Sequence, residues 1–232
     1  MTEEQKDQLR QKWKSWLNEI GNQLGWLLVG HDIYYRLKDI VLSNTKIQSP
    51  FTLHKWIIDN YVAKVITSII RLTDNHPGTI SLYWLIKGIE NNPDVITRDY
   101  FISQWRDDPT KENGTASQTF DMFAKVGEQC VDPEKLNSDI QKLKEETDII
   151  KTFRDKWIAH LDEKQKIEQI PSFGDIDKAL DVIDEVWRDY NLLLTCSCVP
   201  RTRKPGIGDW EAPLRHRWIE EPEYKESEDR LN

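Results

Sequence analysis

Cysteine is scarce in this sequence. Cys130, Cys196 and Cys198 are the only three, too few to form a disulfide framework. Cys196 and Cys198 also lack a second nearby ligand pair, so the four-ligand pattern of a zinc site is not met. The expectation is reduced thiols, no metal, no cofactor and a cytoplasmic location. Long apolar runs are missing too. The longest early run, "LGWLLVG", is far short of the roughly 20 residues a bilayer requires, so no membrane partner is expected. The opening "MTEEQKDQLRQ" lacks the basic-then-apolar pattern of a signal peptide. Positive charge is not in excess: the net charge is −8 and the pI about 5.2. Any nucleic-acid contact must therefore be local. No glycine-rich loop joins a strand to a helix, which argues against a nucleotide-binding α/β fold. "GIG" at Gly206 lies in a proline-rich tail.

What is present is helical periodicity and a large aromatic payload. Ten tryptophans supply apolar bulk in a chain that is 31% charged, so a buried core is expected. Thr2 with Gln5 forms a capping box ahead of a Trp13, Trp16, Leu17, Ile20 stripe. Gly21 and Gly25 weaken that helix, and a second is expected near 26–42. Ser49 and Pro50 open a long apolar helix, and "NHPG" ends it at residue 78. Thr79 or Ser81 starts the next helix, which stops at "NNP". Residues 94–105 and 117–130 are expected to be helical, with a polar loop at 106–118 between them. Asp132 and Pro133 begin a further helix, and a final one runs from about 174 to 195. The tail from Cys196 holds four of the ten prolines and reads as irregular, with room for a short strand pair. The fold class is all-α: a helical bundle over 1–195 with an irregular extension over 196–232.

The helix after Asp132 carries a stripe of Leu136, Ile140, Leu143, Thr147, Ile150, Arg154, Trp157 and Leu161. The steps alternate four and three, as one face of a helix requires. At about 100° per residue, Arg154 lies roughly 20° from Leu161 and 40° from Ile150. An arginine at a core position needs a carboxylate, a phosphate or water beside it. His160 lies roughly 120° round from Arg154 on an ideal wheel, on a flank shared with Ile149, Phe153 and Trp157. Two apolar faces on one helix suggest contact with a second surface, most simply a homodimer mate. Asp155 and Lys156 project to either side of the stripe. Asp155 either pairs with a cation there or is solvated.

The run from Arg154 to His160, "RDKWIAH", resembles the R-x4–6-H motif of HEPN domains. With "IIRLTDN" and "TISLYWLIK" upstream, the chain is similar to the AbiU2 branch, associated with abortive infection, over roughly residues 5–195. Arg71 to His76, "RLTDNH", also fits R-x4-H, but it runs straight into Pro77 and Gly78, where a helix must end. Arg71 and Asp74 are left with two readings, an interior ion pair or helix-end capping. The resemblance implies a metal-independent endoribonuclease that dimerises, so that two motifs form one cleft. It assigns Arg154 to the scissile phosphate, His160 to proton transfer and Asp155 to positioning. Tyrosine is absent two residues after His160, where related toxins are modified by a partner enzyme, and no antitoxin is implied.

Substrate RNA has further candidate contacts in Lys156, Arg201 and Arg203. The last two belong to a basic cluster with Lys204, Arg215 and Arg217, interleaved with Trp210 and Trp218. The same tryptophans also suit a tail packed on the bundle. Two other functions remain open: a non-catalytic HEPN-like dimerisation or interaction module, and a ligand-binding bundle with its pocket away from the motif.

Overall fold

Helix signals in the sequence become seven α-helices among the residues described by the computed structural model, which are 1–49, 51–106, 115–158, 170–200 and 208–216. They are α1 (Glu3–Ser43), α2 (Thr52–Thr73), α3 (Leu82–Glu90), α4 (Arg98–Arg106), α5 (Ala116–Phe120), α6 (Pro133–Phe153) and α7 (Phe173–Thr195). Short 3-10 turns follow α1 at Thr45–Ile47 and occur in the tail at Ala212–Arg215. No strand forms among the described residues. A single antiparallel bridge joins Thr97 and Cys130. The described tail residues, 196–200 and 208–216, form no strand, while the rest of the tail, where a strand pair was expected, lies outside the described residues.

The four long helices α1, α2, α6 and α7 form a closed ring of contacts, each packing on the next. Neighbours run antiparallel. Lys142 to Glu185 at 2.8 Å and the Tyr190 O–H to Asp139 at 3.0 Å fix the register of α6 on α7. The Trp187 indole N–H donating to the Leu17 carbonyl at 3.0 Å fixes α7 on α1. Helices α3, α4 and α5 close one end of this bundle. The opposite end carries the α1–α2 turn, the end of α6 and the start of α7. The core runs through the ring, with Trp13, Leu17, Ile66, Ile69, Ile150 and Ile183 almost fully buried.

Several boundaries follow the local chemistry. The Thr2–Gln5 capping box is made in both directions. Asp132 caps α6, with Pro133 in its first turn, and Ser172 caps α7 through a box with Asp175. Ser81, of the two candidates, caps α3.

Other expectations are corrected. Gly21 does not split the first helix, and α1 is continuous over 41 residues. The reason is long-range: a Cβ on Gly21 would lie 2.4 Å from Cζ2 of Trp187, so the glycine is where the α7 indole lies on α1. Helix α2 starts at Thr52, with Phe51 as its N-cap and no side-chain cap bond. Pro50, expected in its first turn, lies outside the described residues. Residues 117–130 are helical only as far as Phe120. The buried Arg98 guanidinium donates to the carbonyls of Ser117, Lys125 and Glu128 and pairs with Asp121 at 2.7 Å. The Glu128 carbonyl is thereby satisfied without a helix, while those of Ser117 and Lys125 also accept the Asp121 and Glu128 N–H groups. The loop expected at 106–118 falls largely outside the described residues, at 107–114. Cys196 ends α7 in the left-handed region at φ 53°. No described helix is long and apolar enough to cross a membrane.

Candidate functional site at the open end of the bundle

The stripe on α6 is present: Leu136, Leu143, Thr147 and Ile150 are buried. Its continuation differs from the ideal wheel. After Phe153 the helix widens into one π-helical stretch, Arg154–Ile158, and such widenings rotate the following side chains off the ideal face. Phe153, at 7% exposure, closes the buried stripe in place of Arg154. The Arg154 side chain is 32% exposed, so it borders the core and also reaches solvent.

Its partner is the neighbouring carboxylate. Arg154 Nε donates to Asp155 Oδ1 at 2.7 Å, and Nη2 donates to the same oxygen. The structure thus decides for Asp155 between pairing and free solvation: it clamps Arg154. Nη1 is not used in that clamp. Lys156 is half-buried on the next position. His160, Arg201 and Arg203 lie outside the described residues, as do Leu161, Lys204, Arg217, Trp218 and the side chain of Trp157. In the described part of the tail, Arg215 pairs with Asp209, and Glu211 accepts from Arg36 of α1 at 2.8 Å. The second arginine motif is not assembled. Arg71 is exposed, and Asp74 accepts from the His76 backbone N–H at 3.0 Å. His76 is an exposed loop residue.

A polar and aromatic cluster that sequence reading missed occupies the same end. The α6–α7 register carries Arg154 to the level of the first turn of α7, and the Arg154–Ile158 turn packs on α2. There Tyr34 of α1, Tyr61 of α2 and Phe173 of α7 lie near-parallel, with Tyr34 and Tyr61 at 3.9 Å between ring centres. His31 Nδ1 is 2.7 Å from the Tyr61 hydroxyl, and its Nε2 faces Asp177 at 3.4 Å. The Tyr35 hydroxyl donates to both Asp177 oxygens at 3.0 Å. Burial and the Asp177 carboxylate push the Tyr35 phenol up to about 12. Burial first, then the neighbouring phenols and Asp177, raise that of Tyr61. Both phenols therefore keep their protons. A carboxylate can only accept, so His31 Nε2 faces it as a donor, while Nδ1 meets the Tyr61 hydroxyl, which can donate or accept. The "HDIYY" run in α1 gave a signal for half of this cluster. Nothing local announced that Asp177 would meet it.

Elsewhere, an open cleft of about 490 Å³ lies between α1, the end of α2 and the loop before α3, lined by Asn18, Glu19, Gln23, Arg71, Thr79 and Ile80. Among the described residues no group of three or more His, Cys, Asp or Glu side chains is placed to hold a metal ion.

Comparison with known proteins gives one match. The AbiU2 model of the HEPN domains fits residues 10–209, from the first turns of α1 to beyond the end of α7. No curated protein and no solved structure matches the chain. With the match covering most of the sequence and the helical bundle agreeing with it, the chain belongs to the AbiU2 family of HEPN domains.

Proposed function

We propose that this protein is a metal-independent endoribonuclease that acts as a homodimer. The observation that carries the reading is Arg154: a partly exposed guanidinium, clamped by Asp155 at the border of the core, in the arginine position of a HEPN motif. RNA supplies its own nucleophile. The 2′-oxygen attacks phosphorus, the bond to the 5′-oxygen breaks, and a 2′,3′-cyclic phosphate and a 5′-hydroxyl result. One proton must leave the 2′-hydroxyl and one must reach the 5′-oxygen. The two copies of His160 in the dimer divide these tasks, since imidazole titrates near neutrality. Arg154 holds the phosphate and stabilises the charge growing on its oxygens. Asp155 fixes the guanidinium, and Lys156, Arg201 and Arg203 add phosphate contacts. The biological setting we propose is phage defence by abortive infection, in which such an activity is toxic to the infected cell.

The test is cleavage of structured RNA in EDTA by the wild type, His160→Ala and Arg154→Ala. Cyclic-phosphate products from the wild type alone are expected. Equal cutting by all three, or cutting of no RNA by the wild type, overturns the reading.

A second reading, a non-catalytic dimerisation or interaction module, is favoured by the exposed apolar side chains around the α1–α2 turn: Leu42, Ile47, Phe51, Leu53 and Trp56. Such a cluster is an interaction surface in many proteins. In that case Arg154→Ala dissociates or unfolds the dimer, while His160→Ala changes nothing measurable.

A further inference from the structure

We propose that the first turn of α7 reads a guanine base, with Phe173 as the stacking surface and Asp177 as the acceptor of the base's N1–H and 2-amino hydrogens. The inference deepens the ribonuclease reading and rests on it for the presence of RNA at this end of the bundle.

Phe173 and Asp177 are four residues apart and so share one helix face. Both reach solvent: Phe173 is 39% exposed and the Asp177 side chain 43% exposed. Both are held from behind. Phe173 lies near-parallel to Tyr34 and edge-on to Tyr35. Asp177 accepts from the Tyr35 hydroxyl and faces His31 Nε2. Both ring nitrogens of His31 are thus engaged, by Tyr61 and by Asp177. That makes His31 a positioning residue for the carboxylate. The Ser172–Asp175 box fixes the backbone of the same turn.

A carboxylate has about four lone-pair positions. Tyr35 and His31 take those on the protein side, and the exposed side keeps acceptor capacity. A fixed negative charge beside a phosphodiester weakens binding unless it meets N–H donors. Among the four bases only guanine presents two adjacent donors on its pairing edge. Adenine and cytosine set one amino group beside an acceptor nitrogen, and uracil sets one N–H between two carbonyls. An exposed aromatic ring with an oriented acceptor beside it is the recurrent way proteins read an unpaired base.

The probes are 2′-O-methylated tetranucleotides, uncleavable because the nucleophile is blocked. Each carries one guanine, adenine or cytosine in a uracil background, with the all-uracil chain as the fourth. Titration calorimetry on the full chain should give the guanine probe roughly tenfold tighter binding. Asp177→Asn should remove that preference, and Tyr35→Phe should reduce it. Phe173→Leu should weaken all four probes together. Thermal melting checks that each variant is folded. Equal affinity for the four probes, no binding of any, or a guanine preference that survives Asp177→Asn overturns the proposal. RNA cleavage on the same samples separates the two readings. Cleavage without a guanine preference removes the base site and leaves the nuclease. A guanine preference without cleavage does the reverse.

Discussion

Nε and Nη2 of Arg154 both close on one oxygen of Asp155, the next residue in the chain. Adjacent side chains on a regular helix do not face each other, and here the pair forms at the entry to a π-helical stretch. The clamp aims an arginine that would otherwise point along the core stripe.

Asp155→Asn should therefore separate activity from stability. Arg154 is one-third exposed and Asp155 about half exposed, so losing the pair should cost less than about 1 kcal/mol. The melting temperature should shift by no more than about 2–4 °C. RNA cleavage should fall by roughly tenfold or more through kcat, because the guanidinium loses its orientation. A large melting shift with unchanged kcat would assign the pair a structural role instead.

Arg98→Ala should be far more damaging than its distance from the site suggests. The side chain is buried and donates to the carbonyls of Ser117, Lys125 and Glu128 as well as Asp121. Its loss removes the donor to the Glu128 carbonyl and the ion-pair partner of Asp121, while the Ser117 and Lys125 carbonyls keep backbone donors, and should cost on the order of 3–5 kcal/mol. Urea unfolding monitored by tryptophan fluorescence gives the value; a change within the error of the measurement contradicts it.

Gly21→Ala tests the contact between α1 and α7. Trp187 is tied to the Leu17 carbonyl and cannot swing away without breaking that bond. Although alanine favours a helix more than glycine does, overpacking should dominate and destabilise by about 1–3 kcal/mol. Stabilisation in chemical denaturation would show that the indole moves freely.

The α7 cap carries a pH signature. Ser172 hydrogen bonds hold the Asp175 carboxyl below its ordinary value. A depressed folded pKa contributes stability above the unfolded value of about 3.9 and loses it as the pH falls through the folded value. Ser172→Ala should cost about 1 kcal/mol at pH 7, and the gap from wild type should narrow below about pH 4. Melting curves between pH 3 and 7 check this; a gap that widens on acidification has the wrong sign.

Much of the candidate site was legible in sequence, and the rest was hidden for identifiable reasons. The period of apolar residues on α6 put Arg154 on the buried stripe itself, whereas it borders the core at one-third exposure. It did not give Phe153 the buried end of the stripe, because the wheel set Phe153 on the flank with Ile149 and Trp157. Asp155 was legible through the resemblance as a group that would position Arg154 or His160, and its hydrogen bonds to Arg154 came only with the structure. His31 and Asp177 were invisible as a pair, being on different helices, 146 residues apart in the numbering of the chain.

The sequence by itself determined the helices whose signals are local. Caps at Thr2, Ser81, Asp132 and Ser172 act on backbone groups within three residues, and a periodic stripe needs only its own helix. Tertiary structure decided the rest. Trp187 lies on Gly21 within an unbroken α1, and Arg98 takes the Glu128 carbonyl and the Asp121 carboxylate of the non-helical 121–130 segment. Three helices converging at one end placed His31, Tyr61 and Asp177 together. In each case the deciding partner comes from far along the chain. Its effect exists only once the bundle has closed, because burial is what makes an unmatched carbonyl, a missing Cβ or a lone carboxylate count.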